Sequence, residues 1–510
     1  MRRPALALAA AAFVVLSGFA VARHQAFRTQ MNDLGNAVQA VWGVTHGDLA
    51  MTVTNDEDGV ARSRLGVHFN LIFYLVALPF AVFPDPRTLL VLGCLASAVA
   101  GLGLWAFARR RLGDRPIALL APAAFFLSPM VHDATLFDFP ATVLTTPLFV
   151  WMIVAFEAGR PRAAWILFAL TLACKEDAAL LTLCYGLVRW RDDRRQALVL
   201  AGVSLAWVLA VTLAIVPALN HGRGLTQLDG VAGRYRWLGR SIGQMVRGLV
   251  TRPGEVLAHV AHFAKLRIVL YLLLSGAVVA LGAARWLVPL VPHLAMALLA
   301  DGPWMTRVTG TFYWVTDVAV IVMACVVAAR RPWPLYALAG ATAVLSFLLS
   351  PLPYSAIASL RDYAGGDAAA LARVSRLVPD DAALTVQNDL GAHLATRRQV
   401  AAFPRGLDRA DHVLVYLGAR PPADHPWFAA TDPRILGNGQ EPGRVAAAAA
   451  RLLDMGWTAV AAEDHFYLLG RGTTGGVDPA EVRRRIADDA RALAALPRPA
   501  RDGIYGWLDE

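Results

Sequence analysis

Lysine is almost absent from this 510-residue chain, occurring only at Lys175 and Lys265. Charge in general is scarce. Asp, Glu, Lys and Arg make up 17% of the residues, against about 25% in an average soluble domain. Cysteine is limited to Cys94, Cys174, Cys184 and Cys325, each in or beside an apolar segment. None has metal-ligand spacing, so they read as small buried hydrophobes rather than a metal site. There is no internal repeat, no Walker loop and no Gly-x-Gly-x-x-Gly following a strand. Those absences remove the common nucleotide-binding signatures.

What is abundant is apolar sequence, 57% of the chain, with a mean hydropathy of +0.48. A soluble protein of this size would divide into two or three cores. Here the apolar residues fall instead in runs near the length of a membrane span. The net charge of +10 is almost all arginine. A basic chain can bind nucleic acid, but these arginines sit at the ends of apolar runs. Membrane topology explains that placement and a nucleic-acid partner does not. The expected fold class is an all-α polytopic membrane bundle with a small α/β soluble domain at its C-terminus.

Residues 1–22 read as a first transmembrane helix entering from the cytoplasm, and 23–67 as a first outside loop holding Asp33, Asp48, Asp56, Glu57 and Asp58. The multi-span region is placed at 68–350, with a second outside loop at 218–267. Arg109-Arg110-Arg111 closes the run 87–108 and belongs on the cytoplasmic side. The short run 69–83 then cannot have crossed. Its fifteen residues make a helix of ~22 Å, short of the ~30 Å hydrocarbon core, so it reads as re-entrant or surface-lying. Further spans are expected near 116–131, 141–157, 163–175, 176–189, 197–217, 268–284, 286–300, 313–329 and 333–350. They alternate so that Arg160, Arg162, Arg189 to Arg195, Arg285 and Arg330-Arg331 all fall inside. The total is about eleven crossings with an outside C-terminus. By Tyr363 charges and prolines have returned. Residues 351–510 read as an extracytoplasmic α/β domain, with strands near 383–387, 413–417 and 457–462 and helices near 366–377, 443–455 and 478–496.

Ionisable groups at membrane depth are costly and are functional candidates. Lys175-Glu176-Asp177 interrupts the apolar stretch 163–188, either as a solvated turn or as the lining of a site. Gln39, Trp42 and His46 have helical spacing and would share one face of a surface helix. His68 opens the short segment beside Arg62 and Arg64, where a helix N-terminus near arginines suits an anion. Asp138 precedes Phe139-Pro140 and reads as an N-cap. Arg234 and Tyr235 lie in the second outside loop, where phosphate or sugar contact is open to them. The arginine runs alone place all of these groups on one face, the outer one.

At these same residues the chain resembles a bacterial membrane family catalogued as domain of unknown function 2079. The matching positions are Asp33-Leu34-Gly35 with Gln39, Trp42 and His46-Gly47, Gly66 with His68-Phe69, Lys175-Glu176-Asp177, Arg234-Tyr235 with Leu238-Gly239, and Asn388 with His393-Leu394 and Arg397. The chain departs from the family pattern at Asp138-Phe139-Pro140, where the family has Asp-Phe-His-Pro. It also departs at Asn70-Leu71, where Ser-Pro is common, and at Tyr313-Trp314, where His-Tyr is common. The family is similar, distantly, to GT-C type glycosyltransferases, which use a polyprenyl-phosphate sugar donor. That resemblance implies a bacterial inner-membrane location and glycosyl transfer, with membrane lipid and a lipid-linked sugar as partners.

On that reading Asp33, ionised at its ordinary pKa, is the base. His68, Lys175 and Arg234 face the leaving phosphate. Glu176 and Asp177 bind acceptor hydroxyls or orient Lys175. Arg64, Asp138, Tyr235, Gln39, Trp42 and His46 are expected among the substrate-binding residues. A divalent metal shared by Asp33 and Asp138 is compatible with the chemistry, though no ligand spacing points to one. The competing classes are a transporter or flippase of a lipid-linked or small polar substrate, and a non-catalytic membrane scaffold.

Overall fold

A computed structural model describes residues 2–55, 62–222, 234–301, 305–418, 442–474 and 476–495. Asp56, Glu57 and Asp58 of the first loop lie outside the described residues.

Helices form at each expected crossing. The first, α1 (Arg2–Gln25), packs on the long helix α4 (Pro86–Leu112). Asp85 starts α4 by accepting the Arg87 N–H at 2.8 Å, with Pro86 in the first helical position where no N–H is needed. The segment 69–83 supplies α3 (Phe73–Val82), only ten residues long. Next come α5 (Leu120–Leu127) and α6 (Pro129–Leu136), bent by 54° to each other. Four helices follow: α7 (Ala141–Glu157), α8 (Pro161–Leu172), α9 (Ala178–Arg189) and α10 (Arg194–Leu219). The helical run Lys265–Leu299 is broken at Gly276 (φ 111°) and again at Ala283, next to the expected boundary at Arg285. Helices Val315–Ala328 and Trp333–Leu349 complete the bundle.

Among the described residues four helices are long and apolar enough to cross a membrane, or five if the bent pair counts as one span. Six more apolar helices are shorter, at 10–17 residues. Large apolar side chains point outward along them, including Leu78, Ile166, Leu198, Val203, Leu213 and Val344. A soluble protein does not present such a belt to water. This is a membrane protein.

The bundle has two chemically different ends. The 27 residues of α4 span ~40 Å. At the far end of α4, Arg111 pairs with Glu157 and its guanidinium lies 5.4 Å from the Trp286 ring, while Arg285 reaches Asp192 at 3.4 Å. The arginine runs therefore gather at one end. At the other end lie the start of α4, the α8–α9 turn and the close of α10, where Leu219 O comes within 2.9 Å of a Cβ placed on Gly66.

The C-terminal part is a five-stranded sheet ordered β4-β3-β5-β7-β6. Its strands are β3 (Leu384–Val386), β4 (Val400–Ala402), β5 (His412–Tyr416), β6 (Thr458–Glu463) and β7 (Phe466–Gly470). The first loop contributes a separate small ribbon, β1 (Thr52–Val53) with β2 (Arg62–Ser63). Strand β3 runs parallel to both β4 and β5, and β7 is antiparallel to β5 and β6. Strands β4 and β7 were not expected from the sequence.

Alternation along the strands divides the sheet into two buried faces. Val413, Val415, Tyr467 and Leu469 pack under helices Pro442–Asp454 and Pro479–Ala495. Leu414, Tyr416, Phe466 and Leu468 pack instead with Phe27, Met31 and Leu34 of the first loop. The C-terminal domain is thus docked through half of its sheet onto the membrane domain. Gly391 marks a close approach, since a Cβ there would sit 2.4 Å from the Met31 Cβ.

Candidate functional site

The site lies where the first loop, the bundle and the docked sheet meet, at the end opposite the arginine belt. It is a cavity of about 800 Å³. Eight of the expected site residues line it: Asp33, Arg64, His68, Lys175, Glu176, Asp177, Arg234 and Tyr235.

Asp33 stands in a wide, π-helical turn, Met31–Gly35, that leads into α2 (Asn36–Thr45). Its carboxylate accepts no protein hydrogen bond among the described residues. Burial raises its pKa, and the neighbouring Asp138 charge raises it further, against the pull of Arg64 and Arg23, to about 7. The sequence expectation of an ordinary Asp is corrected here, because the fold buries the group and brings in Asp138 from 105 positions away. A carboxylate poised near neutrality is better matched to taking a proton than one near 4.

Asp138 itself does not line the cavity, and it does not cap α7, whose N-cap is Pro140. It is buried and pairs with Arg23 at 2.6 Å. Its other oxygen accepts the Gln30 N–H at 2.8 Å and the Leu34 N–H at 3.2 Å. Asp138 is the peg on which the Asp33 turn hangs. With both oxygens engaged by cation and amide donors, it does not fit a metal shared with Asp33. No cluster of three metal-ligating side chains occurs among the described residues.

His68 and Glu176 form a second polar unit. His68 Nδ1 lies 2.9 Å from Glu176 Oε1, and the Phe69 N–H donates to Oε2 at 3.1 Å. Burial raises the Glu176 pKa, but His68 and Lys175 outweigh it and bring the value to about 2. Burial also pulls His68 below the ordinary imidazole value despite Glu176, which favours the neutral ring. A neutral ring still donates its Nδ1–H to the carboxylate, which leaves Nε2 as an acceptor. Glu176 thus holds the imidazole in a fixed orientation.

Lys175 is drawn to Asp177, with Nζ 2.6 Å from Oδ2. Burial alone would lower its pKa; Asp177 and Glu176 overcome that and shift it upward, so the lysine stays charged. Across from this pair the Arg234 guanidinium lies 5.9 Å from the Tyr313 ring centre. The Tyr235 hydroxyl donates to Met296 O at 3.0 Å.

Three expected residues are elsewhere. Gln39 is buried and ties the first loop to the C-terminal domain, donating to Thr54 Oγ1, Arg397 O and Arg398 O. His46 is exposed at the far end of α2 and stacks on Trp42, ring centres 4.2 Å apart. Gln39, Trp42 and His46 do not share a surface face, because the docked sheet covers the side that Gln39 occupies.

Among the cavity residues that the sequence reading missed are Asn32, Asn55, His293, Asp317 and Arg405. His293 Nδ1 bonds Asp317, which is buried inside an apolar helix. The rule about ionisable groups in apolar runs should have found that pair. Arg405 comes from the C-terminal domain and donates to Asn32 Oδ1 at 3.0 Å. No local signal marks it.

Among curated proteins no match is found. Among solved structures, ArnT from Cupriavidus metallidurans bound to undecaprenyl phosphate is similar, at 12% identity and a TM-score of 0.44 over 91% of this chain and 98% of that one. The same protein in its apo state is similar at 11% identity and a TM-score of 0.40, over 90% and 96%. The family described as predicted membrane protein, DUF2079, matches residues 23–423, a span that includes every cavity residue named above, and the chain belongs to that family.

Proposed function

We propose that this protein is a GT-C-like glycosyltransferase, moving a sugar from a polyprenyl-phosphate donor to an acceptor on the outer face of the bacterial inner membrane. One observation carries the reading. A single cavity joins a carboxylate poised near neutrality, Asp33, to fixed cations and to an apolar wall of Leu180, Leu181, Val208, Met296 and Phe312. A lipid phosphate needs that combination of apolar and cationic surface, and glycosyl transfer needs the base.

In this mechanism Asp33 takes the proton of an acceptor hydroxyl as its oxygen attacks the anomeric carbon. The bond from that carbon to the phosphate oxygen breaks, and the lipid phosphate leaves with the bonding pair. Arg234 and Lys175 stabilise its charge, with Asp177 holding Lys175 in place. The His68–Glu176 pair accepts a hydrogen bond from sugar or acceptor through Nε2. The orientation follows from the two ends of the bundle. The positive-inside rule supports a cytoplasmic arginine end, and on this reading the cavity and the C-terminal domain lie outside in a multi-pass topology.

The test is Asp33→Asn in membranes supplied with a radiolabelled polyprenyl-phosphate sugar. Loss of a general base lowers transfer by ~10²–10⁴-fold, with insertion in the membrane unchanged. Undiminished transfer by the variant refutes the base assignment. Label that crosses the membrane without a new covalent bond would identify a transporter instead, a class to which the helix breaks at Gly276 and Ala283 are also suited.

A further inference from the structure

Two polar side chains stand out in two apolar helices. His293 is the only polar residue of the helix Val291–Leu299, and Asp317 is the only charged residue of Val315–Ala328. His293 Nδ1 bonds Asp317 Oδ2. An ionisable pair inside apolar helices is costly. It either holds the two helices together or serves a ligand. A pair that only joins helices spends its polar atoms within their interface. This pair instead lines the cavity. The His293 side chain is 20% exposed against 4% for Asp317, and His293 Nε2 has no hydrogen-bond partner among the described residues.

The ring is held on two sides. Asp317 fixes Nδ1, and the fully buried Trp314 packs on the ring with centres 4.4 Å apart. With Nδ1–H given to a carboxylate, Nε2 is the atom left for a ligand. The surroundings say which ligand. Pro289, Pro292, Met296 and Phe312 line the cavity, as do Val208 and Thr212 of α10. Their neighbours Leu209, Leu213 and Val291 are exposed on the outside of the bundle. α10 packs mainly on α9, whereas Val291–Leu299 packs on the helix Pro253–Val260 and on the turn that precedes it. Each of these two segments therefore shows one face to the cavity and another to lipid. The cationic part of the site is near. The Tyr313 ring lies 6.1 Å from the His293 ring and 5.9 Å from the Arg234 guanidinium. Tyr235, next to Arg234, donates to Met296 O, one helical turn from His293.

We propose that His293, oriented by Asp317, is the residue that meets the donor's phosphate where its lipid chain passes between α10 and the helix Val291–Leu299. The inference rests on the glycosyl-transfer reading and names a further residue for it. In the complex the ring lies between two anions and carries both protons. It donates Nδ1–H to Asp317 and Nε2–H to a phosphate oxygen. No proton changes hands at His293. Asp33 takes the acceptor proton, the bond from the anomeric carbon to the phosphate oxygen breaks, and the lipid phosphate leaves with the bonding pair. The hydrogen bond from Nε2 strengthens as charge grows on that phosphate. His293 is then a catalytic residue on the donor side, and Asp317 a positioning residue that acts through it.

The experiment uses the full chain in detergent. Calorimetry measures the binding of farnesyl phosphate and of farnesol, which has the same chain and no phosphate. His293→Gln keeps an N–H donor for Asp317 and removes the imidazole. It is expected to weaken farnesyl phosphate about tenfold or more, as loss of a charge-assisted hydrogen bond does. Farnesol binding and the unfolding midpoint should be nearly unchanged. Asp317→Asn should weaken farnesyl phosphate more mildly, and should add nothing in the His293→Gln background, because it acts only through the ring. A pair that merely joins two helices predicts a lowered unfolding midpoint and equal weakening of both probes in each variant, and that result overturns the inference. So does wild-type affinity for farnesyl phosphate in His293→Gln; if Arg234→Gln still weakens that probe, the glycosyl-transfer reading survives. Inorganic phosphate binding through His293 as tightly as farnesyl phosphate would mark a site for the free ion and overturn the lipid assignment. Failure of the wild type to bind farnesyl phosphate overturns the inference and the glycosyl-transfer reading together.

Discussion

Replacing Asp33 with Asn should stabilise the protein while disabling it, and the size of the gain should depend on pH. Asp33 has a folded-state pKa of about 7 against 3.8 for the free side chain. Between those values the folded chain holds more protons at this position than the unfolded one. Stability therefore falls as pH rises from 4 to 7 and is level above that. At 1.36 kcal/mol per unit, the full shift corresponds to about 4 kcal/mol, and roughly 3 kcal/mol of it accrues between pH 5 and 7. Asp33 faces a cavity open to water, which screens the charge and reduces the pH-dependent part to ~1–2 kcal/mol. Asn carries no charge and escapes this cost at every pH.

The assay is unfolding of detergent-solubilised wild type and Asp33→Asn at pH 5 and pH 8. Every other titrating group is common to the two proteins, so the difference between them isolates Asp33. The variant should be the more stable at pH 8, with a smaller margin at pH 5. A variant less stable than wild type at pH 8, or a margin that does not change with pH, refutes the placement of Asp33 as a buried, raised carboxylate. The opposing effects on stability and activity are what a site built around an unfavourable charge entails.

Asp138→Ala removes the partner of Arg23 and the acceptor of two backbone N–H groups; breaking a buried pair costs ~3–5 kcal/mol, and the expected result is loss of the monodisperse peak on size exclusion. Thr54→Val deletes the hydroxyl that holds Val400 from both sides. It should cost about 1–3 kcal/mol and speed proteolytic release of the C-terminal domain; unchanged cleavage would show that the apolar sheet face suffices for docking. Asp177→Cys should react with a membrane-impermeant thiol reagent from the periplasmic side only. The four native cysteines are all buried, so background is low, and labelling only from the cytoplasm inverts the topology.

Most of the bundle was legible because apolar runs and arginine ends are local signals. The sheet was less so. Strand β4 has three residues, too few to display a period. Strand β7 is reached through a two-residue turn, Asp464-His465, with φ of 45° and 69°. That turn usually advertises itself by Asn-Gly or Asp-Gly, and here it does not. Arg405 was invisible for another reason. Its partner Asn32 lies 373 residues away, and nothing in the intervening sequence says that the C-terminal domain folds back onto the first loop. The Asp33 shift was hidden in the same way, since its causes, burial and then the Asp138 charge, arise only through packing.

The three departures from the family pattern gain a common meaning once they are placed. Asn70 lines the cavity and donates to Cys174 O at 2.6 Å, bracing the turn that carries Lys175. Phe139 and Pro140, beside the position where the family has an additional histidine, form part of the same lining. Tyr313, where His-Tyr is common, offers its ring to Arg234 in that cavity. By contrast Asp138, immediately before the shortened motif, keeps its pairing with Arg23 and its hold on the Asp33 turn. Each change therefore alters the surface a substrate would touch and leaves the supports of Asp33 intact. Loss of an imidazole removes a titratable donor from the wall, while His68 and His293 still line it.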